Sequence, residues 1–170
     1  YEMHGTRSGT LNTNIRDPQY GDWMPVSPLD YRYGREPIKN IWSRDGRHIR
    51  QIEVERALIW AHNQLGRVSD EHYEIVSNIS NASSVTVDRV EEIERETKHD
   101  IMALTKAMAE AAGDAGWCIH LGATSNDIVD TAVALQIKDS VDIHKEILVE
   151  LISTLCDLAE RERDTVMLGR

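Results

Sequence analysis

From Asp45 onward apolar and polar positions alternate with a helical period. Val54, Leu58, Ala61 and Leu65 recur at steps of four, three and four, Ile52 and Ile59 widen the stripe, and Gly66 is placed to end the helix in a left-handed cap. Ser69 is an N-cap candidate for a short helix with Asp70 and Glu71 in its first turn and Ile75, Val76 and Ile79 facing inward. After a polar break at 78–84, Asp88 with Glu91 reads as a capping box opening a charged helix over 90–97. A new rhythm of Ile101, Thr105, Met108 and Ala112 begins at His99-Asp100 and closes at Gly113, and the pattern leaves open whether the chain kinks at His99 or runs straight through. Residues 114–121 form a connector, after which Thr124 or Ser125 is well placed to cap the final helix.

The last segment carries the strongest pattern. Ala134, Ile137, Val141, His144, Leu148, Leu151, Leu155 and Leu158 alternate steps of three and four, a heptad seam, and no Gly or Pro interrupts the chain between Gly122 and Gly169. A helix over about 126–162 would run roughly 55 Å at ~1.5 Å per residue. A second stripe, Ile143, Ile147, Ile152, Cys156 and Ala159, makes it apolar on more than one side, so it calls for partner helices from other subunits or other parts of a longer chain. Residues 1–46 are the opposite case: they hold all four prolines and five of the ten glycines and read as an extended arm. The fold class is therefore all-α, a small N-terminal helical domain (45–122) behind an arm (1–44), followed by the first long helix of a central helical bundle (123–170).

With 170 residues, 41% of them apolar, the chain can build a core, and a formal charge of −10 argues against a nucleic-acid partner, which needs an excess of Lys and Arg. A small anionic ligand remains compatible, because local cations and helix N-termini set the potential in a cleft. Two cysteines in different segments indicate no disulfide scaffold, and no apolar run approaches the ~20 residues that span a bilayer, so the expectation is a cytoplasmic protein that is neither membrane-bound nor secreted. The chain opens on Tyr1 rather than Met, which leads us to expect a processed or incompletely represented start.

Candidate chemistry concentrates between Lys98 and Thr131. His99 and His120 each sit beside small polar residues at a break between helical patterns, where side chains and free backbone N–H groups can converge on an anion. On its own, a histidine at a helix start is more often a cap or a surface residue. His144 falls on the heptad seam and reads as an interface or core residue, and His4, His48, His62 and His72 have no partner at metal spacing. Asp127 and Asp130 stand one turn apart, but acids at a helix start are favoured by the dipole, and no metal is expected. Asp130 is read as helping to position the Thr124-Ser125 turn. The Glu-rich run from Arg89 to Lys98 is a solvated face.

Three blocks together resemble the adenylosuccinate lyase family of the fumarase/aspartase superfamily: Arg32-Tyr33, Thr97-Lys98-His99-Asp100-Ile101, and His120-Leu121-Gly122-Ala123-Thr124-Ser125-Asn126-Asp127 running into Asp130-Thr131-Ala132. The likeness extends along about residues 27–170, ending at Val166-Met167-Leu168-Gly169-Arg170. The resemblance implies β-elimination of fumarate from adenylosuccinate, giving AMP, and from succinyl-aminoimidazole carboxamide ribotide, without a cofactor. It further implies that Arg32 and Tyr33 hold the nucleotide phosphate, that Lys98, His99 and Asp100 line the site, that Thr124 and Ser125 hold a succinyl carboxylate, and that His120 is a second active-site histidine. His99 and His120 are the catalytic candidates, with His99 supporting proton delivery and His120 orienting the substrate or tuning that acid.

Members of the family are homotetramers, so a homo-oligomer acting on a small nucleotide is expected. In the family a Thr-His-Gly segment comes after Gly-Arg, and a mobile loop much later carries a serine base. This sequence ends at Arg170, and the expectation is that it is inactive by itself. The rival readings are a sister lyase acting on argininosuccinate or a carboxymuconate, and a helical oligomerisation module without chemistry.

Overall fold

The computed structural model describes residues 34–169. Among them every regular element is helical: α1 (Ile38–Trp42), α2 (Arg44–Gln64), α3 (Asp70–Ile79), α4 (Val87–Thr97), α5 (Asp100–Ala112), a 3-10 segment (Gly113–Cys118) and α6 (Ser125–Arg161). The chain is all-α, as its periodicity predicts. The short α1 lies inside the segment expected to be extended. It turns directly into α2 because the Ser43 hydroxyl accepts from the Gly46 N–H at 3.0 Å, capping the longer helix, while the same hydroxyl donates to the Asn40 carbonyl at 2.8 Å.

Several local signals act where the sequence puts them. Ser69 caps α3 by accepting from the His72 N–H at 3.2 Å, and Gly66, at φ +68°, comes just after the end of α2 with its N–H on the Asn63 carbonyl. Gly113 closes α5 at φ +56°. The start of α4 differs from expectation: Thr86, not Asp88, is the cap, its hydroxyl accepting from the Arg89 N–H at 3.2 Å, so the helix begins three residues earlier than the apolar rhythm marks. A β-hydroxyl in extended backbone two residues ahead of Asp88 supplies the stronger local bond, and Asp88 falls in the first turn.

The core is formed by Ile52 and Ile59 of α2, Val76 of α3, Ile93 of α4, Ile101, Leu104 and Met108 of α5, Cys118 of the 3-10 segment and Ile128 of α6. The buried face of α2 is rotated from the expected one. Leu65 is exposed, Val54 and Leu58 are half-buried, and the innermost positions are Ile52, Glu55, Ile59 and His62. Polar residues on the inward face hide it from a hydrophobicity pattern. Two of them are tolerated there through bonds to backbone carbonyls: His48 Nε2 meets that of Val85 at 2.7 Å, and His62 Nε2 that of Leu121 at 2.8 Å.

Helix α6 has two regimes. Its first turns pack through Ile128, Ala132 and Gln136, and the Gln136 amide donates to the Ile41 carbonyl at 2.6 Å while Trp42 Nε1–H donates to Ser140 Oγ at 2.9 Å. Arg50 of α2 pairs with Asp139 at the same level. Past Ser140 the helix leaves the cluster. Val141, Leu148, Leu151, Leu155 and Leu158 of the heptad seam, and Ile147 and Ile152 of the second stripe, are all exposed in the single chain. Among the described residues no helix is long and apolar enough to cross a membrane.

Candidate active site

Two chain breaks build the site. At the first, α4 ends because Lys98 adopts the left-handed conformation (φ +54°), its N–H bonded to the Glu94 carbonyl at 2.8 Å. His99 is then extended and caps α5: its Nδ1 accepts from the Met102 N–H at 3.3 Å. The open question of a kink is resolved as a full break between two helices. Because a backbone N–H can only donate, His99 Nδ1 acts as an acceptor, which leaves the ring proton on Nε2. Asp100 Oδ1 lies 3.5 Å from Nδ1, too far for a hydrogen bond, and instead accepts from the Ile101 N–H at 2.7 Å.

The second break joins the 3-10 segment to α6. His120 sits at φ +61° and Gly122 at φ +71°, two left-handed positions that reverse the chain. Thr124 precedes the first residue of α6, and its N–H donates to Asp127 Oδ2 at 2.9 Å. Asp127, rather than Asp130, therefore braces the Thr124-Ser125 turn, since an acid at the third helical position reaches back to the cap and one a turn further on does not. Ser125 opens α6, and its Oγ lies 3.5 Å from His99 Nε2. The starts of α5 and α6 thus meet, bringing an imidazole N–H and a hydroxyl to two helix N-termini, an arrangement suited to an anion.

Helix α2 holds this turn from behind with two side chains of its inward face. Glu55, with no exposed surface, receives the His120 backbone N–H on Oε2 at 3.1 Å and has Oε1 2.6 Å from His120 Nδ1. Burial pushes the Glu55 carboxyl above the usual carboxylate range, against the opposing pull of His120. Seven residues further along α2, His62 grips Leu121. Neither Glu55 nor His62 was singled out by sequence reasoning as a site residue. The available signal is that Glu55 falls at helical spacing between Ile52 and Ile59, a charge in the middle of an apolar stripe.

Of the residues expected at the site, His99 and Ser125 are brought together, and Thr124 and His120 lie on the same turn as Ser125. Lys98 and Asp100 flank His99 at the surface. Arg32 and Tyr33 lie outside the described residues. His144 caps nothing in the core; its Nδ1 meets the Ser140 carbonyl of its own helix at 2.6 Å on the exposed seam. His72 instead packs edge-on against Trp117, ring centroids 5.8 Å apart. Among the described residues no group of three or more His, Cys, Asp and Glu side chains could hold a metal ion.

The chain matches known proteins along most of its length. It is 49% identical over 147 residues to an adenylosuccinate lyase of Archaeoglobus fulgidus and 46% identical over 147 residues to one of Pyrococcus abyssi, each match covering 86% of this chain. It spans about a third of the length of these curated relatives, 32% and 33%. Its fold matches a 3-carboxy-cis,cis-muconate lactonizing enzyme of Pseudomonas putida with a TM-score of 0.76 at 26% identity, over 84% of this chain and 33% of that one. The Lyase family model matches residues 16–170, and the chain belongs to that family.

Proposed function

We propose that this chain forms part of an adenylosuccinate lyase, which eliminates fumarate from adenylosuccinate to leave AMP, and from succinyl-aminoimidazole carboxamide ribotide in the same way. The observation that carries the reading is the 46–49% identity to adenylosuccinate lyases through the two breaks where His99 faces Ser125. Cleaving the C–N bond requires removal of a proton beside a carboxylate, stabilisation of the charge gathering on that carboxylate, and a proton for the leaving nitrogen. Ser125, Thr124 and the N–H groups opening α6 hold the succinyl carboxylate. His99, with its proton on Nε2, supports proton delivery, and His120 orients the substrate.

Lys98 and Asp100 line the same side, and Arg32 and Tyr33 take the nucleotide phosphate. In this reading the chain divides into the arm (1–44), the helical domain (45–122) and the start of a central bundle domain (123–170), and the exposed seam of α6 pairs with copies of itself in a homo-oligomer. No cofactor enters the scheme, and its setting is the cytoplasm.

The test is turnover by the whole protein. AMP and fumarate formed from adenylosuccinate support the reading, whereas turnover of argininosuccinate or a carboxymuconate without AMP formation gives the chain to a sister lyase. The carboxymuconate reading has a fold match at 26% identity, well below the identity to the adenylosuccinate enzymes. Titration with AMP or fumarate separates both from an oligomerisation module, since chemical-shift changes around Thr124 belong to the enzyme alone.

A further inference from the structure

The fully buried Glu55 directs both carboxylate oxygens at one residue, His120. One of these bonds has no freedom: the His120 backbone N–H can only donate, so Oε2 must accept. The other oxygen faces Nδ1 at 2.6 Å, and an ionised carboxylate there accepts the Nδ1 proton, leaving Nε2 with a lone pair. The grip is reinforced, because His120 stands at φ +61° and the next carbonyl, that of Leu121, is bonded to His62. His99 has the opposite arrangement, with Nδ1 occupied by the Met102 N–H and Nε2 carrying the proton toward Ser125.

We propose that Glu55 is a positioning residue that locks His120 in the Nδ1–H tautomer, so that its Nε2 presents an acceptor to the substrate while His99 presents a donor. His120 then takes a hydrogen-bond donor, such as a ribose hydroxyl or the secondary amine N–H, and is unsuited to a phosphate or carboxylate, which offer lone pairs only. The catalytic consequence rests on the lyase reading above. The tautomer assignment stands apart from it.

Glu55→Gln separates this role from mere packing. The near-isosteric amide must place its oxygen on the His120 backbone N–H, which turns its NH2 toward Nδ1 and forces the ring proton onto Nε2. The measurement is the solid-state 15N spectrum of the histidine-labelled whole protein, with His120 assigned by its loss in His120→Gln, alongside steady-state kinetics on adenylosuccinate. The expected result is a protonated Nδ1 in the wild type, a protonated Nε2 in Glu55→Gln, and a kcat lower by about 10²-fold or more with KM changed only a few-fold.

A wild-type His120 protonated on Nε2 overturns the proposal, as does a tautomer unchanged in Glu55→Gln, or a kcat unmoved by its reversal. The wild-type spectrum decides the assignment even if Glu55→Gln does not fold. If the protein has no activity on adenylosuccinate, the spectra still decide the tautomer, and only the functional reading fails.

Discussion

At the scale of single residues, His99 combines two jobs that substitution can separate. It caps α5 through Nδ1 and directs Nε2 at Ser125. Asparagine caps a helix but offers no titratable proton, so His99→Asn in the whole protein is expected to keep the thermal midpoint while kcat/KM falls by roughly 10²–10⁴-fold. His99→Ala should lose the cap as well, about 1 kcal/mol of stability. Near-wild-type kinetics in His99→Asn would remove His99 from proton delivery.

His48 gives a second residue-scale expectation. Burial holds its imidazole below the ordinary value of 6.5, against the pull of its bond to Val85. The unfolded chain therefore binds the proton more readily than the folded one, so this contribution to stability is complete above pH 6.5 and is lost as pH falls below it. Glu55, with its carboxyl raised, works in the other direction, losing stability as pH rises above 4.5. The clean readout is thus the difference between wild type and His48→Gln in denaturant midpoint, from about pH 8 down to about pH 5, with the wild type losing more on acidification. Parallel curves would place the acid sensitivity elsewhere.

At the scale of elements, the helices after α1 and most of their ends were legible, whereas α1 falls in the segment read as an extended arm. Ser69, Gly66 and Gly113 act through bonds within a few residues, which a sequence displays directly. Misreadings arose where two local signals competed, as Thr86 did with Asp88, or where partnered polar residues occupied an inward face, as on α2. Close approach between elements was not legible at all. A Cβ on Gly46 would run into the Asn40 carbonyl oxygen, and one on Gly116 would lie 2.8 Å from that of Ala109. Both neighbours are backbone, so Gly46→Ala and Gly116→Ala are each expected to destabilise by about 1–3 kcal/mol, with Gly46→Ala the worse, as measured by urea unfolding. Wild-type stability in either variant would mean that the helices are not so closely apposed.

At the scale of the molecule, α6 is the feature that a single chain leaves uncovered. Its seam from Ile137 to Leu158 is apolar except at His144 and lies in the open, with Leu148 and Leu155 each 53% exposed. Such a contiguous apolar surface marks an interaction site. Leu148→Glu with Leu155→Glu in the whole protein is expected to dissociate the homo-oligomer proposed above in sedimentation velocity without unfolding the α1–α5 cluster, because neither residue contributes to that core. An assembly unchanged by both substitutions would show that the seam is covered from within the same chain.

The order of residue types by itself determined the all-α class, the helix seam and the break ahead of the last helix where His120 stands, because these depend on periodicity and on bonds spanning four residues or fewer, and it left open whether the chain breaks at His99. Only the tertiary structure brought His99 to Ser125, 26 residues away, and put Glu55 behind His120, 65 residues away. Those contacts depend on how α2, α5 and α6 pack, and a one-dimensional pattern registers a buried, partnered carboxylate simply as a charge.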